Sequence, residues 1–136
     1  TDKIKNVAKA VIREKKQGNS VVVVVSAMGH TTDNLVKLSK EITSNPSERE
    51  MDMLLSTGEQ ISMSLLAMAL NEMGYKAVSM TGLQAGIKTE DCHMCARIVD
   101  IDTTNTKKHL DNDEMQWMNN YEKTEEYELI YGSTGE

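Results

Sequence analysis

Five consecutive valines, Val21 to Val25, restrict the fold of this 136-residue chain more than any other feature of its sequence. β-Branched side chains favour extended backbone, and five residues are too few for a helix. A strand that is apolar on both faces is typical of a parallel sheet covered by helices. The valine run therefore predicts a buried strand in an α/β protein.

Helical and extended patterns alternate around this strand. Thr1, Thr32 or Asp33, and Ser47 paired with Glu50 in a capping box are candidate helix starts. Thr57, Gly58 and Glu59 are predicted to interrupt the helical stretch that follows the capping box. Helices are expected at 1–18, 32–42, 47–55, 60–73 and 104–110, and further strands at 76–80, 97–101 and 114–118.

This order of elements indicates an α/β fold with a layered, mainly parallel sheet and helices on both faces. Ligands bind such sheets at the carboxyl ends of the strands. The loops at 26–32 and 81–87 are therefore candidate walls of a ligand site. Neither is a Walker phosphate loop, because the pattern G-x-x-x-x-G-K-[ST] does not occur in the sequence.

The charge balance argues against a nucleic-acid partner. The formal net charge is −6, and the basic cluster of Arg13, Lys15 and Lys16 ends a predicted helix, where cations complement the helix dipole. No run of about 18 apolar residues predicts a membrane span, and no targeting leader opens the chain. We therefore expect a cytoplasmic protein with no membrane partner.

Cys92 and Cys95 form a C-x-x-C pair, which in principle suits half of a zinc site or a redox couple. The histidines, His30, His93 and His109, lack the spacing of a structural zinc site. In a reducing compartment an isolated cysteine pair is usually two free thiols. We therefore expect free cysteines and no protein-bound metal.

Several ordered blocks of the sequence resemble those of bacterial aspartokinases. Agreement over several blocks in the same order is more specific than one short motif, and it covers roughly residues 1–118. The resemblance implies the amino acid kinase fold and phosphorylation of the side-chain carboxylate of L-aspartate by ATP with Mg²⁺, toward lysine, threonine and methionine. The blocks are VVVVVSAMG at 21–29, TTDNL at 31–35, REMDMLLSTGEQIS at 49–62, TGLQAGI at 81–87, and His93 followed by ARIVDID at 96–102.

The resemblance also implies roles for individual residues. Glu59 matches an acid that faces the amino group of the substrate, and Thr32 matches a threonine that contacts the substrate. Ser26 and Ala27 match loop residues near the ATP phosphates, with Ser26 also near the substrate. Taken alone, Glu59 is a helix-start carboxylate and Thr32 an N-cap. No catalytic base is expected, because an aspartate side chain with a pKa of about 3.9 is already an anionic nucleophile.

Some family features do not occur in this sequence. Family members have an earlier Lys-Phe-Gly-Gly strand end and a later Gly-Arg-Gly-Gly-Ser-Asp segment for ATP and substrate. Residues 119–136 form an acidic tail that departs from the family pattern. We therefore expect residues 1–118 to be a partial catalytic domain that is inactive, or nearly so, alone. An uncovered sheet edge predicts a homo-oligomer.

Two alternatives stay open at this stage. One is a non-catalytic binding or assembly module on the same scaffold, which would bind L-aspartate without phosphoryl transfer. The other is a related kinase that forms an acyl phosphate on a different substrate, such as N-acetylglutamate kinase. Titration with L-aspartate and with N-acetylglutamate separates the two substrates.

Overall fold

The computed structural model describes residues 2–119, so the predicted Thr1 cap lies outside the described part of the chain. Of the predicted tail at 119–136, only Asn119 is described, and it is the last residue of a strand. The elements in chain order are α1 (Asp2–Lys16), β1 (Val22–Val25), α2 (Thr31–Ile42), α3 (Glu48–Glu72), β2 (Ala77–Met80), β3 (Ile87–Thr89), β4 (Ile98–Ile101), α4 (Thr104–Asp111) and β5 (Met115–Asn119).

Three strands form a parallel sheet in the order β1-β5-β2, so the last strand along the described chain lies in the centre. In this register Val22 lies opposite Gln116, and Ala77 lies opposite Met115. β3 and β4 form a separate antiparallel hairpin. The parallel sheet with its packed helices confirms the predicted α/β class.

The core lies between the parallel sheet and helices α1 and α3. Val11 of α1, Val23 of β1, Leu70 of α3 and Met115 of β5 are each no more than 2% exposed. Along β1 the burial alternates, because the valines that face the core are buried and the two that face away are half-buried. The strand that was predicted to be buried is therefore fully buried on one face and half-buried on the other.

α3 is one continuous helix of 25 residues, so the predicted interruption at 57–59 is wrong. The Thr57 hydroxyl donates to the Leu54 carbonyl at 2.7 Å, which accommodates this polar side chain within the helix. Ser47 is the N-cap, but its side chain makes no capping hydrogen bond, so the predicted capping box is absent. By length and composition α3 could cross a membrane; in this fold it supplies much of the core.

The start of α2 also differs from the prediction. α2 begins at Thr31 with His30 as its N-cap, so neither Thr32 nor Asp33 is the cap. The reason lies in the preceding turn, where the Thr31 N–H and hydroxyl both donate to the Met28 carbonyl, at 3.1 and 2.6 Å. These two bonds fix Thr31 as the first helical residue.

The β3–β4 hairpin holds the clearest departure from the sequence predictions. Its loop contains a disulfide between Cys92 and Cys95, so the expectation of two free thiols is wrong. The turn between them brings the two Cα atoms to 5.6 Å, within the range of about 4.4–6.8 Å that a disulfide requires. β3 was not predicted because three residues are too few to show a periodic pattern.

Candidate functional site

The carboxyl ends of β1 and β2 mark the candidate site. Both strands run parallel to β5, so the loops that follow them, 26–30 and 81–86, leave the sheet at the same edge. α3 packs against β1, β2 and α2, and so reaches this edge as well. The two loops predicted from the sequence therefore lie at the ligand-binding end of the sheet.

Glu59 lies where α3 meets the loop after β1. Its carboxylate is half-buried, and the backbone N–H groups of Glu59 itself and of Ala27 favour its charged form. A carboxylate has about four lone-pair positions, so Glu59 has capacity for a cationic partner. The fold thus brings together Ala27 and Glu59, two of the residues predicted for the site.

Gly58 permits the close approach of α3 to this loop. It is buried, and a Cβ atom built on it would lie 3.0 Å from Ala27 Cβ and 3.3 Å from Thr31 Cγ2. Carbon atoms prefer separations of about 3.5–4.0 Å, so only glycine fits here without displacing its neighbours. The sequence prediction missed this role. The available signal was a glycine inside a helical pattern, which can mark tight packing as well as a helix end.

Burial raises the pKa of the Glu59 carboxyl above its ordinary value of 4.5, and the backbone N–H groups of Glu59 and Ala27 oppose part of that shift. The folded chain therefore holds the Glu59 proton more tightly than the unfolded chain does. As the pH rises from 4.5 through the folded-state pKa, the free energy of unfolding falls. Ionised Glu59 thus destabilises the fold, and a carboxylate perturbed by burial is a candidate for a functional site.

The Glu59→Gln variant should therefore be more stable than the unmodified chain at pH 7 and lose this advantage near pH 4. Glutamine has nearly the same shape and removes the charge that burial disfavours. Urea denaturation at both pH values measures the difference. Glu90→Gln, the same change on an exposed side chain, is the control and should change stability little at either pH. A loss of stability in Glu59→Gln at pH 7 would contradict the burial argument.

The other two predicted site residues flank this pair. Ser26 is half-buried and directly precedes Ala27, whereas Thr32 is exposed in the first turn of α2. Gly29 has a φ of 55° and allows the loop to turn into the helix. The N-terminus of α2, where backbone N–H groups favour anions, therefore follows directly from this loop.

Hydrogen bonds within the loop and to α4 shape the segment after β2. The Thr81 N–H donates to Gln84 Oε1 at 2.9 Å, and the Gln84 N–H lies 3.3 Å from Thr81 Oγ1. Asn105 of α4 donates to the Gln84 carbonyl at 2.8 Å. Gly86 has a φ of 86°, and a side chain there would overlap the Asp102 carbonyl. These contacts show that Gln84 and Gly86 determine the shape of the loop.

The family resemblance implies that the site binds Mg²⁺ and the phosphate groups of ATP, and the described residues offer different support for each. Across residues 2–119, no three His, Cys, Asp or Glu side chains form a cluster that could hold a metal ion by themselves. Phosphate groups suit the backbone beside Ser26 and Ala27, where side chains are small.

The amino acid kinase family model matches residues 1–134 of this chain. The aspartokinase of Geobacillus stearothermophilus is 64% identical over 110 residues, which are 81% of this chain and 27% of that protein. Aspartokinase 2 of Bacillus subtilis is 63% identical over 103 residues, 76% of this chain and 25% of that protein. The chain thus spans about a quarter of the length of these curated relatives.

Two solved structures share the fold. Aspartate kinase from Synechocystis matches with a TM-score of 0.74 and 41% identity, covering 99% of this chain and 22% of that chain. An isopentenyl phosphate kinase matches with a TM-score of 0.58, covering 87% of this chain and 47% of that chain. Its identity is 19%, so it supports the fold alone. These matches confirm the resemblance and the fold predicted from the sequence.

Proposed function

Because this chain belongs to the amino acid kinase family, we propose that it supplies the aspartate-binding side of an aspartate kinase. The reaction transfers the γ-phosphoryl group of ATP to the side-chain carboxylate of L-aspartate and gives 4-phospho-L-aspartate. The observation that carries the proposal is the half-buried Glu59 carboxylate beside Ala27 at the carboxyl end of β1. The aspartokinase relatives support the choice of substrate.

Glu59 suits the α-amino group of aspartate for two physical reasons. Burial makes its lone charge unfavourable, so an incoming ammonium group offsets a cost that the empty site bears. Its lone pairs can accept N–H bonds from the ammonium group. Binding of the amino group would then favour ionised Glu59 and orient the substrate.

Thr32 and the N-terminus of α2 suit a carboxylate group of the same substrate. The Thr32 side chain is exposed in the first helical turn, where N–H groups and the helix dipole favour anions. We assign Ser26 to both the substrate and the phosphate groups, and Ala27 to the phosphate side. The site needs no general base, because the attacking side-chain carboxylate is already ionised; its task is to position that carboxylate in line with the γ-phosphorus.

The proposed reaction also implies a phosphoryl donor, an oligomeric state and a cellular location. ATP serves as the phosphoryl donor with Mg²⁺ to offset its charge, as phosphoryl transfer generally requires. Among the described residues, β1 and β2 are the outer strands of the parallel sheet, and each has one side without a neighbouring strand. Unpaired strands of this kind support a homo-oligomer. We place the protein in the cytoplasm, in amino-acid biosynthesis, without a nucleic-acid or membrane partner.

A chimeric enzyme tests the function. The matched 110 residues of this chain would replace their counterpart in the Geobacillus stearothermophilus aspartokinase, and aspartyl hydroxamate would be measured with ATP, Mg²⁺, L-aspartate and hydroxylamine. The Glu59→Gln chimera should show an aspartate KM raised about tenfold with the ATP KM nearly unchanged, because a charge-assisted contact worth about 1.5 kcal/mol is lost.

Glu90→Gln in the same chimera is the matched control and should leave both KM values unchanged. An unaltered aspartate KM in Glu59→Gln would remove Glu59 from the site. Hydroxamate formed from N-acetylglutamate in place of L-aspartate would favour the alternative kinase. Binding of L-aspartate without hydroxamate would favour the non-catalytic module.

A further inference from the structure

The loop that joins β3 to β4 is closed twice. The Glu90 N–H donates to the Arg97 carbonyl at 3.0 Å at its base, and the Cys92–Cys95 disulfide closes a smaller ring at its tip. Both cysteines are reachable from solvent, since Cys95 is exposed and Cys92 is half-buried. A disulfide in such a position is open to attack by an external thiolate.

The ring at the tip is anchored to α3 through one side chain. The Met94 N–H donates to the Asp52 carboxylate at 3.1 and 3.2 Å, and His93 Nδ1 lies 2.9 Å from Asp52 Oδ2. His93 and Met94 are the two residues between the cysteines. The contact of this loop with α3 therefore involves the residues whose backbone the disulfide constrains.

The backbone of Met94 links the disulfide to this anchor. Its φ is 59°, a left-handed conformation that residues with a side chain seldom adopt. The same turn directs the Met94 N–H to Asp52 and brings the cysteine Cα atoms to 5.6 Å. Opening the disulfide would allow Met94 to return to an ordinary conformation, and its N–H would then no longer be held toward Asp52.

We infer that Cys92 and Cys95 form a reversible thiol–disulfide exchange site that fastens the β3–β4 loop to α3. In the disulfide form, His93 and Met94 are held on Asp52; in the dithiol form, they are released. An external dithiol supplies two electrons and two protons: one of its thiolates attacks a cysteine sulfur, and its second thiol resolves the mixed disulfide. A low-molecular-weight disulfide drives the reverse reaction. In a reducing compartment, disulfides of this kind are usually transient and redox-sensing.

Exchange with glutathione tests the first half of the inference. The chain is equilibrated at graded ratios of reduced to oxidised glutathione, quenched, alkylated and weighed by mass spectrometry. Cys92 and Cys95 should convert together, from no alkylated thiol to two, with the mixed disulfide only as a minor species. Thiols that stay free at every ratio, or a disulfide that dithiothreitol cannot reduce, would overturn the inference.

Amide hydrogen exchange at Met94 tests the second half. The Met94 amide should exchange about fivefold faster in the dithiol form, because the loss of one hydrogen bond worth about RT ln 5 exposes it. The Cys95→Ser variant should show the fast rate at every glutathione ratio. Equal exchange rates in the two redox forms would refute the coupling between the disulfide and the anchor.

The Asp52→Ala variant removes the contact between the loop and α3 but keeps both cysteines. In this variant Met94 should exchange fast in both redox forms, and reduction should need less reduced glutathione, because coupling between two sites is reciprocal. Asp91→Ala, which removes an exposed carboxylate from the same loop, is the matched control and should leave both measurements as in the unmodified chain. An Asp52→Ala chain that behaves like this control would contradict the proposed role of Asp52.

Discussion

Replacing Gly58 with alanine is expected to lower the free energy of unfolding by about 1–3 kcal/mol, the usual result of adding a methyl group to a packed site. In an unconstrained helix interior the same change would stabilise by roughly 0.5–1 kcal/mol, because glycine loses more backbone freedom on folding. The sign of the change in the free energy of unfolding therefore shows whether Gly58 is tightly packed against its neighbours. The new Cβ would lie 3.0 Å from Ala27 Cβ, which cannot move without its backbone. Urea denaturation measures the change.

The Ala27→Gly substitution provides a matched test of the same contact. It removes the carbon atom that the new methyl group would meet, so the double variant Gly58→Ala, Ala27→Gly should be more stable than the two separate effects predict. Residues in contact commonly show interaction energies of about 0.5–3 kcal/mol in such cycles. A stabilising Gly58→Ala, or strictly additive effects, would mean that α3 and the loop do not meet as described.

The Leu70→Ala variant is expected to lose about 2–5 kcal/mol of the free energy of unfolding. Leu70 is fully buried in α3 and belongs to the cluster that joins α1, α3 and the sheet. Its truncation removes apolar contacts and leaves a cavity that rigid neighbours close only in part. Since small domains are stable by only about 5–15 kcal/mol, a clear shift of the urea midpoint, followed by circular dichroism, should result.

Leu65→Ala is the control for this prediction. Leu65 lies on the same helix but is 40% exposed, so the same truncation removes less buried surface and leaves no closed cavity. We expect a loss of no more than about 1 kcal/mol. Similar losses in the two variants would show that the two faces of α3 are not distinguished by burial.

The strands of the parallel sheet, and β4 of the separate hairpin, could be predicted because short apolar runs stand between turn residues. β1, β2, β4 and β5 lie almost where their patterns predict them, and the valine run correctly indicated a strand of a parallel sheet. β3 has no such pattern in its three residues. Prediction from local sequence thus succeeded where the pattern was long enough to show the period of a strand.

The features that the sequence misjudged depend on residues that folding brings together. Gly58 locally resembles a helix break, and only its neighbours Ala27 and Thr31 explain why it is glycine within α3. Glu59 alone suggested a helix-start carboxylate, but the helix does not start there. Its assignment to the site came from the family resemblance, and its assigned role stays a prediction. The Cys92–Cys95 bond likewise depends on a turn that the spacing permits but does not require.

The central position of β5 has a consequence for synthesis on the ribosome. β1 is made early, yet its pairing partner in the sheet comes from the far end of the described chain, with Val22 opposite Gln116. At about 5–20 residues per second, the valine strand waits several seconds for that partner. Contacts between such distant segments also form slowly. The nascent chain therefore presents an unpaired apolar strand during translation, a segment that chaperones specific for extended apolar sequences would bind.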